Sequence, residues 1–195
     1  VGAEFCASLT DLDFEFEDST VRVISLTSLR EVTVADTRVG PLQEGKELET
    51  RYWIAESLVR AGYARFHEDD VLTFAVLSKL HWRETKLSQG FQISPLSDHF
   101  YSKLKRFLGY SRKRSSSEPM STAQYLQGTR LAQDIVNCRL RKIVNLATSS
   151  SKTTAAMTQA LTREERILFD KVKSAVAEWQ EAILDIEADR QARSS

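Results

Sequence analysis

The chemistry-bearing residues of this 195-residue chain are few and scattered. Its three histidines are His67, His81 and His99, and none has a second His, Cys or carboxylate at a metal-ligand spacing. His67 runs into Glu68-Asp69-Asp70, acids that suit the positive end of a helix dipole better than a cation. His99 stands beside Asp98 in the first turn of an expected helix, again without a ligand pattern. No two of the seven glycines lie within four residues of each other, which removes phosphate-cradling and dinucleotide-binding loops. No Gly-x-Ser-x-Gly nucleophile elbow is present. Cys138 falls beside a helical apolar stripe and reads as a buried structural thiol. The pair Glu164-Glu165 sits at a helix start, where capping accounts for it. No acid–base set, cofactor site or metal site is expected, and the chain does not read as an enzyme.

One cluster suits phosphate contact. Lys103, Lys105, Arg106, Arg112, Lys113 and Arg114 place six positive charges within twelve residues. A solvated polar face followed by a flexible loop explains them better, and no interleaved aromatic platform for bases is evident.

Composition bounds the rest. The chain is 42% hydrophobic and 28% charged, enough to build a core. Its 27 basic and 27 acidic residues cancel, which argues against wholesale binding of a polyanion or a membrane. The balance hides a split: residues 1–70 carry fifteen acids and seven bases, and residues 71–195 carry twelve acids and twenty bases. Two units with different surfaces are expected. Uninterrupted apolar runs stay under ten residues, so no bilayer-spanning segment is expected, and no signal peptide is read at the N-terminus. Two cysteines are too few for a disulfide framework.

The first part alternates. Leu12, Phe14 and Phe16 interleave with Asp13, Glu15 and Glu17, predicting a strand, with Asp18-Ser19 as a hairpin-like turn. Thr20–Ser25 and the Val32/Val34 segment predict two more. Thr50 as N-cap and Gly62 as terminator frame a short helix with Trp53, Ile54, Ala55, Leu58 and Val59 on its apolar side, and Tyr63–Phe66 predicts a further strand. The rest is helical. One helix is expected from Asp70 to about Leu87, a second capped by Ser97, a third opened by Ser121 and Gln124 and running to about Ala147, and a fourth opened by the capping box Thr162–Glu165. The third helix has the stripe Ala132, Val136, Leu140, Ile143 and Ala147; the fourth has Leu168, Val172, Ala175, Val176, Trp179 and Ile183. Segments 109–119 and 148–158 read as solvated connectors, and 190–195 as a frayed tail. Trp53, Trp82 and Trp179 are expected in core packing, although the helical part has more apolar face than about 110 residues need, which suggests completion by partner chains. The fold class is α+β: a small β-rich domain over 1–67, then a helical, bundle-like domain over 68–195.

Three stretches, in order, resemble subunits of the GINS replication complex. They are Val39-Gly40-Pro41-Leu42-Gln43-Glu44-Gly45 with Tyr52-Trp53-Ile54-Ala55-Glu56-Ser57-Leu58; Ile93 through Tyr101; and Arg139-Leu140-Arg141-Lys142-Ile143-Val144-Asn145-Leu146-Ala147 with Leu161-Thr162-Arg163-Glu164-Glu165. The order of small B domain then helical A domain resembles the archaeal "two-three" subunit, related to the eukaryotic Psf-two and Psf-three. The resemblance implies a non-enzymatic scaffold without a cofactor. It implies a heterotetramer with other GINS subunits that bridges the MCM helicase and a RecJ-like or Cdc-type replication factor. The implied location is the cytoplasm and nucleoid, or the nucleus in a eukaryote. Phe74, Phe100, Tyr101, Leu104, Phe107, Trp179 and Ile183 are the expected subunit anchors. The alternative is a nucleic-acid-binding module built on Lys103 to Arg114.

Overall fold

The computed structural model describes residues 2–86, 93–115, 119–149 and 154–184. The helices are α1 (Gly2–Glu17), α2 (Tyr52–Arg60), α3 (Phe74–Lys86), α4 (Phe100–Ser115), α5 (Pro119–Thr148), α6 (Thr154–Gln159) and α7 (Arg163–Leu184). The strands are β1 (Thr20–Ser25), β2 (Val32–Val34), β3 (Thr37–Val39), β4 (Glu47–Arg51) and β5 (Ala64–Phe66). The architecture is α+β, as the pattern of the sequence predicts. The chain divides into two compact units, one of residues 1–77 and 101–128, the other of residues 78–100 and 129–195.

In the first unit β1 lies between two antiparallel neighbours, in the order β4-β1-β5. Its alternation does what period two requires: Val21, Val23 and Ser25 are buried and the residues between them are not. β2 and β3 form a separate hairpin whose two turn residues, Ala35 and Asp36, both have positive φ. That is the backbone a two-residue hairpin turn demands. Helix α2 closes the core, setting Tyr52, Ile54, Ala55 and Leu58 against Phe16, Val21, Val23, Val39, Leu42 and Ala64. Tyr52 packs its ring 4.5 Å from Phe16 and 5.5 Å from Phe66, and burial pushes its hydroxyl up to about 12. The backbone N–H and guanidinium of Arg22 both donate to Asp70, at 2.9 and 3.0 Å, pinning a short 3-10 turn at Glu68–Asp70 to the sheet. Burial opposes ionisation of Asp70, but these bonds outweigh it and hold the carboxyl below its usual range.

Several sequence expectations change here. Residues 12–17 are helix, not strand. The alternation spans only three apolar residues, and the same segment carries the spacing i, i+4 twice: Leu12 and Phe16 are buried, while Asp13 and Glu17 reach polar partners on α4. Phe14, between them, is 73% exposed. Asp18-Ser19 therefore joins a helix to β1. Thr50 belongs to β4, and the N-cap of α2 is Arg51, which makes no side-chain cap bond; Gly62 does stand just past its end, at φ +78°. α3 starts at Phe74, not Asp70, and α4 at Phe100 rather than after Ser97, because His99 takes a left-handed φ of +54°. α4 continues to Ser115 and α5 opens at Pro119, so the basic run 112–114 is helical instead of a loop, and Ser121 lies inside α5. α6 occupies part of the expected connector before α7. The tail at 190–195 lies outside the described residues.

The second unit has its own apolar cluster, with Ile143, Leu146 and Ala147 of α5 against Leu161 and Phe169. The stripe of α5 is rotated from the expected one: Ala132, Ile135, Arg139 and Ile143 are buried, whereas Val136 and Leu140 are 38% and 41% exposed.

Gly40 is the tightest backbone position. Its φ is +138°, and a Cβ there would lie 3.0 Å from the Arg30 carbonyl oxygen and 3.1 Å from the Glu31 Cα. Backbone strain and a rigid neighbour act together, so Gly40→Ala is expected to lower unfolding stability by about 2 kcal/mol. Urea denaturation of the two proteins checks this.

Candidate assembly surface

The surface starts from the residues that hold its helices. Within the second unit Glu84 of α3, Arg139 and Lys142 of α5, and Glu165 of α7 are all buried. Arg139 binds Glu165 in a two-pronged pair, Nε to Oε1 and Nη2 to Oε2, each at 2.7 Å. Its remaining nitrogen donates to the Ser94 carbonyl at 2.7 Å and lies 3.4 Å from Glu84 Oε1. Lys142 Nζ donates to Glu84 Oε2 at 2.8 Å, and the Ser94 hydroxyl donates to Oε1 of the same carboxylate. Two cations and two carboxylates thus cancel, and the fork of Arg139 is filled. Burial alone would raise the Glu84 carboxyl, but hydrogen bonds from Lys142 and Ser94 and the charges of Arg139 and Lys142 hold it below its ordinary value.

Glu165 has a second task. The Thr162 N–H donates to Glu165 Oε2 at 3.0 Å, and the Glu165 N–H donates to Thr162 Oγ1 at 3.3 Å. This is the reciprocal capping box that the sequence predicts. One carboxylate therefore starts α7 and ties it to α5.

From this root α7 runs 22 residues. Phe169 is buried, and Leu168 and Val172 pack on the apolar cluster. The same stripe then loses its cover: Val176 is half-buried, and Trp179, Ile183 and Leu184 are 64%, 63% and 64% exposed. The apolar pattern does not end where the burial does.

The other expected anchors are placed differently. Phe100 and Leu104 are enclosed by the chain itself, and Phe74, Tyr101 and Phe107 are half-buried. Trp53 packs on the core of the first unit, whereas Trp82 and Trp179 stand out from the surface rather than in a core. Cys138 is half-buried, not sealed.

The basic cluster is spread along α4. Lys105 and the Ser102 hydroxyl bond to Asp13 of α1, the latter at 2.7 Å, and Arg106 pairs with Glu17 at 2.6 Å while covering the Tyr52 ring. Burial opposes ionisation of Asp13, but these partners outweigh it and lower its carboxyl. Lys103 is half-buried, Arg112 and Lys113 are exposed, and Arg114 lies on the last turn of the helix. Among the histidines, the Nδ1 of His67 accepts from the Asp69 N–H at 3.3 Å with its Nε2 3.4 Å from Glu47, and His81 meets Asp134 at 3.2 Å. Among the described residues no group of three or more His, Cys, Asp or Glu is arranged to hold a metal ion, and no helix is long and apolar enough to cross a membrane.

The family model of the GINS complex protein helical bundle domain matches residues 71–184, more than half of the chain. The chain belongs to the GINS family. No curated protein matches it. The GINS family is one of non-enzymatic complex subunits, so this chain is a replication-associated GINS subunit, and other GINS subunits are its partners. The matched span contains the whole ion cluster and the bare stripe of α7.

Sequence reasoning quoted Arg139, Lys142 and Glu165 only as pieces of motifs and did not single out Glu84. Their signal is positional: Arg139 lies four residues after Ile135 and four before Ile143, on an apolar face where a charge needs a buried partner.

Arg139→Met is expected to destabilise the protein by about 3–5 kcal/mol, since it takes the buried Glu165 carboxylate's cation away while Glu84 keeps only Lys142 and Ser94. Denaturant unfolding measures it. The lowered Glu84 carboxyl contributes stability that is present above its unfolded value, 4.5, and lost as pH falls through its lower folded value. Glu84→Gln is therefore expected to lower stability at neutral pH and to flatten its decline on the acid side. A urea-unfolding series from neutral pH to about pH 3 checks both.

Proposed function

We propose that this GINS subunit is a non-enzymatic scaffold of the archaeal "two-three" type, related to Psf-two and Psf-three. It joins other GINS subunits in a heterotetramer that holds the MCM helicase and a RecJ-like or Cdc-type factor together at the replication fork. Its setting is then the cytoplasm and nucleoid, or the nucleus of a eukaryote. The observation that carries this reading is the uncovered end of α7, where Trp179, Ile183 and Leu184 continue a stripe already buried at its root. Large aromatic and aliphatic side chains of this kind are the usual centre of a stable interface. Every described strand falls within residues 1–67, which supports the β-rich part of the domain reading, while the compact units place residues 101–128 with the first.

The second reading, a nucleic-acid module on α4, rests on the exposed Arg112 and Lys113. Lys105 and Arg106 are already neutralised by Asp13 and Glu17, which weakens it.

Co-expression with a GINS subunit that places its helical domain first tests the scaffold. A stable complex of about four chains is expected by sedimentation, since oligomers of this kind close on themselves. Trp179→Asp with Ile183→Asp is expected to release the partner while leaving the thermal midpoint of the isolated chain nearly unchanged, because both side chains are exposed in it. A monomer indifferent to that partner refutes the reading.

A further inference from the structure

The outer face of α3 sets an exposed indole among cations. Lys79, Trp82, Arg83 and Lys86 follow the spacing i, i+3, i+4, i+7, which aligns them on one side over about 10 Å. All four are exposed, Trp82 by 60%. The opposite side of the helix is anchored by Leu77, Leu80 and Glu84, all buried. The face is therefore held rigidly by the same ion cluster that organises the unit. Lys86 lies over the indole, its Nζ 4.3 Å from the ring centroid. Arg83 keeps one guanidinium nitrogen 3.5 Å from the Pro95 carbonyl. At the flank, His81 is engaged by Asp134, and the acidic member of the helix, Glu84, points into the cluster.

Two partner chemistries fit a positive face, an acidic protein segment and a nucleic acid. The indole decides between them. A protein interface around an exposed Trp needs contiguous apolar surface to bury. Here the described neighbours of Trp82 on the helix face are Lys79, Arg83 and Lys86, with Ser78 and Thr85 beside them, and the exposed Val76 lies a turn and a half back, against Lys79 rather than the indole. A flat ring inside a row of cations is instead the arrangement that stacks a base and neutralises the phosphates on either side of it.

We propose that the α3 face formed by Lys79, Trp82, Arg83 and Lys86 binds single-stranded nucleic acid, with Trp82 stacking on a base and the three cations contacting the backbone. The site is separate from the cluster on α4 and does not depend on the scaffold reading. Contact is sequence-tolerant, because every base offers a ring face, and salt-sensitive, because it releases counterions.

The test is fluorescence anisotropy of a labelled oligo-dT of about a dozen nucleotides, a length within the usual range of such sites, with the full-length chain. Binding is expected to weaken with salt at a logarithmic slope of about −2, as three cations require. Trp82→Ala is expected to weaken it about tenfold, and the combined Lys79→Glu, Arg83→Glu and Lys86→Glu variant to abolish it, with thermal midpoints close to that of the parent chain. Unchanged affinity in Trp82→Ala overturns the proposal. So does loss of binding only in Arg112→Glu with Lys113→Glu, which places the nucleic acid on α4. Binding of a poly-glutamate peptide that depends on Trp82, without binding of oligo-dT, also overturns it in favour of an acidic protein segment. Co-purification with a GINS partner is scored separately, so failure of one reading leaves the other standing.

Discussion

Arg139 is the residue on which the second unit depends. Its guanidinium is buried at 1% exposure and spends its donors on Glu165, Ser94 and Glu84. A charge in that position costs several kcal/mol of lost hydration unless its partners are all in place. The partners come from α3, from the segment before α4, and from α7. Four separate stretches of chain must therefore arrive together, and each arrives only in one register. An apolar contact at the same place would tolerate sliding or rotation; a two-pronged carboxylate pair at 2.7 Å does not.

That constraint explains how the unit leaves apolar side chains uncovered without losing its shape. The conventional cluster of Ile143, Leu146, Ala147, Leu161 and Phe169 is small. The polar cluster adds orientation to it, and orientation is what an assembling subunit needs. A face that waits for a partner has to be presented at a fixed angle, since the entropy of ordering it on binding would subtract from the affinity. The first unit solves its own ordering problem differently, with a packed aromatic centre of Phe16, Tyr52 and Phe66 and with α1 clamped to α4 through Asp13 and Glu17.

Much of this was legible in the sequence where local rules act alone. The α+β order, β1, β2, β5, α2, and the Thr162–Glu165 box follow from period, propensity and capping, and they stand. Where a tertiary partner decides, the sequence misleads. Leu12, Phe14 and Phe16 alternate like a strand, yet the helix wins because i, i+4 spacing serves both the core and the pairing with α4. β3 and β4 give no clear period, β3 because it is three residues long and β4 because three of its five residues are charged. The α5 stripe expected from its aliphatic residues is rotated by Arg139, a buried charge that an apolar pattern does not count. Trp82 and Trp179 show the converse error: size and apolarity suggest burial, while the structure leaves both in solvent.

The double use of Glu165 reaches further than the cap itself. The box fixes which residue begins α7, and the pair with Arg139 fixes the rotation of the helix about its long axis. Trp179 is 14 residues onward, about 21 Å along a rod that turns once every 3.6 residues. The helix thus behaves as a crank keyed at one end. An error of a single residue at the keyed end would swing the far indole by about 100°.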